Sequence, residues 1–117
     1  MSSDDMLREG RSAKALSEPV FWMLLSLAGE PQHGYAMMRS VDSLSEGRVR
    51  LTTGTLYGAL ARLLEQRWIE RFESPDTGRE KQAYRLTPLG RARLRDETAR
   101  LRHVTRLAVA RLKSRRA

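Results

Sequence analysis

Leu51-Thr52-Thr53-Gly54-Thr55-Leu56-Tyr57-Gly58-Ala59-Leu60-Ala61-Arg62-Leu63-Leu64 is the stretch on which the fold turns. Leu56, Leu60, Leu63 and Leu64 stand at i, i+4, i+7 and i+8, an apolar stripe that predicts a helix beginning after Thr52 or Thr53 and docking on neighbouring helices. The opposite face carries Gly54, Thr55, Gly58, Ala61 and Arg62, nearly all of them small. A glycine inside a helix costs about 1 kcal/mol against alanine, so Gly58 points to some purpose besides helix stability, close approach to another body being one candidate. A helix whose N-terminal half is small, hydroxylated and free of acids, with Arg48, Arg50 and Arg62 nearby, suits insertion into a DNA major groove. Its first N–H groups can also bind a phosphate. An ordinary amphipathic helix with a poor exposed face is the plainer reading of this segment taken alone.

Upstream, Ser17-Glu18-Pro19 predicts a helix start and Gly29 its left-handed stop, giving a first helix over about Glu18 to Ala28. Val20, Phe21, Trp22, Met23, Leu24, Leu25 and Leu27 make it apolar all round, so it is expected to be central or to lie between subunits. A second helix is expected from about Gly34 to Glu46, with Met37 or Met38, Val41 and Leu44 at helical spacing and Gly47 as its stop. The first sixteen residues are weakly patterned, and either an extra helix around Met6, Leu7, Ala13 and Leu16 or a mobile arm fits them.

Downstream the period changes. Trp68 to Glu73 and Lys81 to Thr87 read as two strands around a Ser74-Pro75-Asp76-Thr77-Gly78 turn, with Tyr84 and Leu86 on one face and Lys81, Ala83 and Arg85 on the other. Arg79, Lys81 and Arg85 form the basic edge of this hairpin. Two helices, a helix with a groove-ready face and a two-stranded ribbon make a winged helix-turn-helix, whose wing commonly follows the phosphate backbone. Thr87-Pro88 then announces a last helix running to about Lys113, on the order of 39 Å at 1.5 Å per residue. Leu94, Leu101, Val104, Ala108 and Leu112, with Leu107 beside them, form a narrow stripe flanked by arginine that needs a partner. The expected dimer interface sets this helix of each subunit against the partner's N-terminal region, Phe21 and Trp22 included. A last helix folded back on its own domain is the alternative.

The fold class is therefore mainly α with a small β-hairpin. Residues 1–17 are expected to form an arm or short helix, 18–87 the winged helix-turn-helix, and 88–117 the C-terminal dimerisation helix. The 117 residues match one domain with one modest core, which excludes a large catalytic architecture. Charge is distributed unevenly. Residues 1–87 hold 12 basic and 12 acidic side chains, while residues 88–117 hold 10 basic ones against Asp96 and Glu97, so the whole excess of +8 lies at one end. Such a field attracts polyanions in a salt-dependent way. The longest apolar run, Val20 to Ala28, is too short to cross a bilayer and no secretory pattern opens the chain, so a cytoplasmic protein with no membrane partner is expected. Without cysteine there is no disulfide and no thiolate metal site.

Three motifs follow in order: Pro31-x-His33-Gly34-Tyr35, then Leu51-Thr52-x-Gly54-Thr55-Leu56-Tyr57-x-x-Leu60-x-Arg62-Leu63, then Tyr84-x-Leu86-Thr87-x-x-Gly90. Over about residues 18 to 95 the chain resembles the PadR-like transcriptional regulators. The resemblance implies a bacterial dimeric repressor whose Gly-Thr-Leu-Tyr segment is the recognition helix, whose hairpin is the wing and whose C-terminal helix makes the dimer. The single short C-terminal helix is similar to the smaller, multidrug-binding type. That type can carry a tryptophan on its last helix to stack flat ligands, and here Thr87 to Ala117 holds none.

DNA-binding residues are expected to be Arg48, Arg50, Thr52, Thr53, Gly54, Thr55, Tyr57, Gly58, Arg62, Arg79, Lys81 and Arg85, with double-stranded DNA and a second copy of the chain as partners. Trp22 is the candidate wall of a pocket for a small aromatic or hydrophobic effector. His33 and His103 suggest no metal site, and His33 is expected to be a hydrogen-bonded packing residue. No nucleophile elbow or phosphate loop occurs and Glu65, Glu70, Glu73 and Asp76 read as solvated surface, so neither an enzyme nor a cofactor is expected. The competing function is a basic interaction module that holds an acidic protein, RNA or a membrane surface without reading sequence.

Overall fold

The computed structural model describes residues 15–72 and 82–114. In chain order the elements are α1 (Glu18–Gly29), β1 (Gln32–His33), α2 (Gly34–Leu44), α3 (Thr53–Glu65), β2 (Ile69–Phe72), β3 (Ala83–Leu86) and α4 (Pro88–Lys113). Three of the four described helices open on a hydroxyl cap. Ser17 Oγ accepts from the Val20 N–H at 3.4 Å, Thr52 Oγ1 from Thr55 at 3.1 Å and Thr87 Oγ1 from Gly90 at 3.0 Å. Each bond satisfies a donor that the first helical turn would otherwise leave without a partner.

The core lies where α1, α2, α3 and the sheet meet. Met23, Leu24, Met37, Val41, Leu56, Leu60 and Ile69 are fully enclosed, and Leu63 and Ala59 join them. Each large apolar side chain so enclosed contributes about 1.5–3 kcal/mol of burial. The stripe expected on α3 is thus inside for Leu56, Leu60 and Leu63, with Leu64 partly buried at its margin. Helix α1 is central: Val20, Phe21, Trp22, Leu25 and Ala28 pack against the buried cluster without being fully covered.

Several boundaries differ from the sequence reading. Helix α1 continues through Gly29 and passes into extended backbone at Glu30, so Gly29 does not supply a left-handed stop. Helix α2 ends at Leu44, and the left-handed turn that follows is shared by Glu46 (φ 55°) and Gly47 (φ 80°). Leu44, at helical spacing from Val41, is about half exposed on the last residue of the helix, where it borders an open groove beside α1. The ribbon is a three-stranded antiparallel sheet in the order β1-β3-β2, with Gln32 opposite Tyr84 and Ile69 opposite Leu86. A two-residue strand has no period of its own, which is why Gln32 and His33 left no trace in the pattern. Ala83, on the face opposite Tyr84 and shared with Arg85, is buried as Tyr84 is: His33 and Phe72 flank it as its neighbours on the two adjoining strands. The Ser74–Gly78 turn, Glu73, Asp76 and an N-terminal helix around Met6, Leu7 and Ala13 lie outside the described residues.

Sheet and last helix are joined at one point. The Trp68 carbonyl accepts the Thr87 N–H at 3.1 Å, Thr87 Oγ1 donates to the Arg67 carbonyl at 2.6 Å, and a Cβ on Gly90 would collide with that same Trp68 carbonyl. Arg67 itself is left-handed at φ 63° and turns the chain from α3 into β2. Leu94 packs into its own domain at 6% exposure, which corrects its assignment to a stripe facing a second subunit. One turn on, Glu97 is 3% exposed and accepts Arg100 at 2.7 and 3.1 Å and the Leu16 N–H, with Arg93 at 3.9 Å. The Arg100 hydrogen bond leads in holding the Glu97 carboxyl below the usual carboxylate range, against the burial that opposes it.

Gly90→Ala is expected to destabilise the fold by about 1–3 kcal/mol in chemical denaturation, since backbone rather than a flexible side chain must move. The lowered Glu97 pKa means that its contribution to stability is complete above the unfolded carboxylate value of about 4.3 and is lost as pH falls through the folded value. Wild type should therefore lose stability below about pH 4.3 more steeply than Glu97→Gln, as read by unfolding free energy against pH.

Candidate nucleic-acid interface

The Thr52 cap sets the N-terminus of α3 at the surface. Thr52 Oγ1, besides accepting the Thr55 N–H, donates to Thr55 Oγ1 at 2.9 Å, so the two hydroxyls are held side by side. Thr52, Thr53, Gly54, Thr55, Tyr57, Gly58, Ala61 and Arg62 are all exposed. A Cβ built on Gly54 or on Gly58 would meet open space, so neither glycine is required by the packing of the described residues. The result is a shallow helix face carrying hydroxyls and one cation, with no acidic group in its first turn.

Tyr57 has a second attachment. It is 44% exposed, and its hydroxyl lies where a Cβ on Gly34 would come within 2.9 Å, so the ring bridges α3 to the first residue of α2. Partial burial, then Tyr84 and Tyr35 nearby, push its pKa up from 10, which keeps the hydroxyl protonated and able to donate.

The arginines are less free than their sequence positions suggest. Arg48 Nε donates to Glu18 Oε2 at 2.9 Å, Arg50 Nε lies 3.6 Å from Asp42 Oδ1, and Arg85 Nε donates to Glu70 Oε2 at 2.8 Å while its guanidinium covers the Phe72 ring at 4.9 Å. Glu70 is thus a paired carboxylate on the sheet rather than merely a solvated one. Arg62 has no ion-pair partner among the described residues. Arg79 and Lys81 lie outside the described residues. His33, expected to be hydrogen-bonded, precedes α2 without capping it, and its buried Nδ1 has no hydrogen-bond partner among the described residues. No group of metal-ligating side chains occurs among the described residues.

Beyond Glu97, every residue of α4 is exposed, Leu101, Val104, Leu107, Ala108 and Leu112 included. Val109, half exposed, belongs to this apolar set and was missed. Phe21 and Trp22 meet edge-on at 5.8 Å on α1, and the Trp22 indole N–H reaches Glu18 Oε2 at 3.4 Å. An open groove between α1 and α2 is lined by Leu25, Ala28, Arg39, Ser40 and Leu44, and Trp22 is not part of its wall. Sequence reasoning also missed Glu97. Its spacing of four from Arg93 and three from Arg100 was the available signal.

Comparison with known proteins fits this geometry. Residues 23–96 match the family described as the transcriptional regulator PadR-like family. A Streptomyces fradiae protein, an uncharacterized 37.1 kDa protein in transposon TN4556, is 40% identical over 75 residues; the match takes in 64% of this chain and spans 20% of that relative. A PadR-like transcription factor from Bacteroides fragilis superposes with a TM-score of 0.62 at 25% identity, over 92% of this chain and 95% of that one. F93 from STIV, a winged-helix DNA-binding protein, gives 0.65 at 15% identity, over 78% of this chain and 95% of its own, which speaks for the fold.

Because Gly58 faces open space within a helix, Gly58→Ala is expected to raise thermal stability, by up to about 1 kcal/mol. A destabilised variant would show that the glycine serves the fold and not the exposed face.

Proposed function

The chain belongs to the PadR-like family of transcriptional regulators, and from that premise we propose that it is a homodimeric repressor that binds a two-fold symmetric DNA operator through α3. The observation that carries this reading is the exposed face of α3: paired threonine hydroxyls, two glycines that no intramolecular contact requires, and Arg62. A major groove admits a helix whose side chains at the reading end are short enough to let the backbone approach the base edges. Thr52, Thr53 and Thr55 then offer hydroxyls to bases or phosphates, Tyr57 donates from a fixed position, and the first N–H groups of α3 face the backbone. Arg85 on β3 is the described cation of the wing side, and Arg79 and Lys81, which precede it in the sequence, are proposed with it to meet phosphate.

Two copies are needed for two half-sites, and α4 supplies the means. Its exposed half spans about 25 Å at 1.5 Å per residue and carries Leu101, Val104, Leu107, Ala108 and Leu112 in water. A second copy covering this face, with Phe21 and Trp22 of the partner beside it, removes that exposure. Release by a small apolar effector near Trp22 and action in the cytoplasm complete the reading. No helix among the described residues is long and apolar enough to cross a membrane.

Footprinting on DNA upstream of the protein's own gene tests this. A protected two-fold symmetric site is expected, with Thr55→Ala and Arg62→Ala each lowering the ratio of specific to non-specific affinity by about 1–3 kcal/mol. Equal retention of every duplex and of RNA, carried by the basic C-terminal segment alone, would instead identify a non-reading basic module.

A further inference from the structure

The turn that leads into α3 presents its side chains alternately. Val49 faces the core and is clamped by Ser45, whose Oγ accepts the Val49 N–H at 3.0 Å and donates to its carbonyl at 3.2 Å. Arg48 and Arg50, on either side, reach outward to different helices, one to Glu18 on the first turn of α1 and the other to Asp42 on α2. The left-handed Gly47 lies beneath the second pair: a Cβ there would stand 3.4 Å from Arg50 Nη2 and 3.7 Å from Asp42 Oδ1. On the sheet, Glu70 holds Arg85 in the same way, through Nε. Of the four arginines assigned to the DNA interface and described by the structure, Arg62 is the exception. Residues 18–87 as a whole carry nine basic and nine acidic side chains, so this unit brings no net charge toward a polyanion.

Two effects of such a carboxylate oppose each other, and their sizes decide between them. As a tether it is weak: Arg48 and Glu18 are 72% and 47% exposed, Arg50 and Asp42 76% and 48%, and exposed pairs of this kind contribute about 0–1 kcal/mol. As a charge it persists whatever the arginine does, and it cancels the arginine's pull on phosphates lying within a screening length of about 8–10 Å. An arginine neutralised by its own domain releases no counterion from DNA. Counterion release is the part of DNA affinity that ignores sequence.

We infer that Glu18 and Asp42 are specificity-determining residues of the DNA interface, holding Arg48 and Arg50 charge-neutral so that attraction to arbitrary DNA is damped where α3 reads it. This rests on the DNA-binding function proposed above. The base-edge contacts of α3 then carry a larger share of total affinity, and the unbalanced charge of the chain is kept to residues 88–117.

The test uses the full chain, with Glu18→Gln, Asp42→Asn and both together, titrated by fluorescence anisotropy onto a random-sequence duplex and onto the footprinted fragment between 50 and 200 mM salt. The slope of log affinity against log salt on the random duplex is expected to steepen by up to about 0.9 for each arginine freed, or about 3.5-fold in affinity across that fourfold salt range. The preference for the footprinted fragment should fall. Adding Arg48→Gln to Glu18→Gln should return the slope to its original value, a reversal that a purely structural role for Glu18 would not produce. Unchanged slopes, or weaker binding to every duplex with thermal stability intact, would overturn the inference. If wild type protects a site but the slopes do not move, this inference alone fails; if wild type binds no duplex, the DNA-binding reading fails and this one with it.

Discussion

The Trp68 carbonyl oxygen is the junction through which the sheet and the last helix are made one body. It accepts the Thr87 N–H, and Gly90 is closed over it so tightly that no side chain fits. Thr87 completes the joint in both directions, donating to the Arg67 carbonyl and capping α4 through Gly90. Since β2, β3 and α4 leave this point with their directions set, the position of the wing relative to α3 and the line along which α4 leaves the domain are both consequences of it. A little further along α4, Arg93 lies over the Trp68 ring at 5.6 Å and Glu97 draws Arg100 and the Leu16 backbone together. The buried carboxylate costs desolvation that only its several donors offset, so the end of the packed part of α4 is specified by polar geometry as well as by Leu94.

Helix α3 divides the demands of stability and recognition between its two sides. Leu56, Ala59, Leu60 and Leu63 are buried in the core, while the exposed side holds two glycines that lower helix propensity and meet nothing among the described residues. Local rules are broken on the surface of the helix that its core face anchors best. Such departures are expected where function outweighs local preference. Tyr57 stands between the two regimes, half exposed yet pressed on Gly34, and so ties the orientation of the reading face to the start of α2.

Charge follows a similar division. The reading unit is balanced, with arginines leaning on carboxylates of neighbouring elements, while residues 88–117 carry the excess of the chain, much of it on a helix whose outer half is exposed among the described residues. An arginine-rich helix beside an apolar stripe keeps its charged heads hydrated while its stems border whatever covers the stripe.

Much of this was legible in the residues alone. The caps Ser17, Thr52 and Thr87, the buried stripe of α3, its small outer face, the hairpin and the length of α4 are properties of short windows, set by propensity, hydroxyl chemistry and period. The three-motif resemblance reached the same family from the same letters. What the sequence could not contain was any relation between segments far apart in it. The strand Gln32–His33 exists because β3 offers it an edge, Ala83 is covered because strands flank it on both sides, and Leu94 turns inward because Gly90 lets α4 approach Trp68. The pairing of Arg48 with Glu18, thirty residues earlier, likewise waits on the packing of α1 against the turn. Period and composition are local quantities; which side chains meet, and hence which charges are free, is decided only when the core closes and brings distant carboxylates within a few ångströms of the arginines they hold.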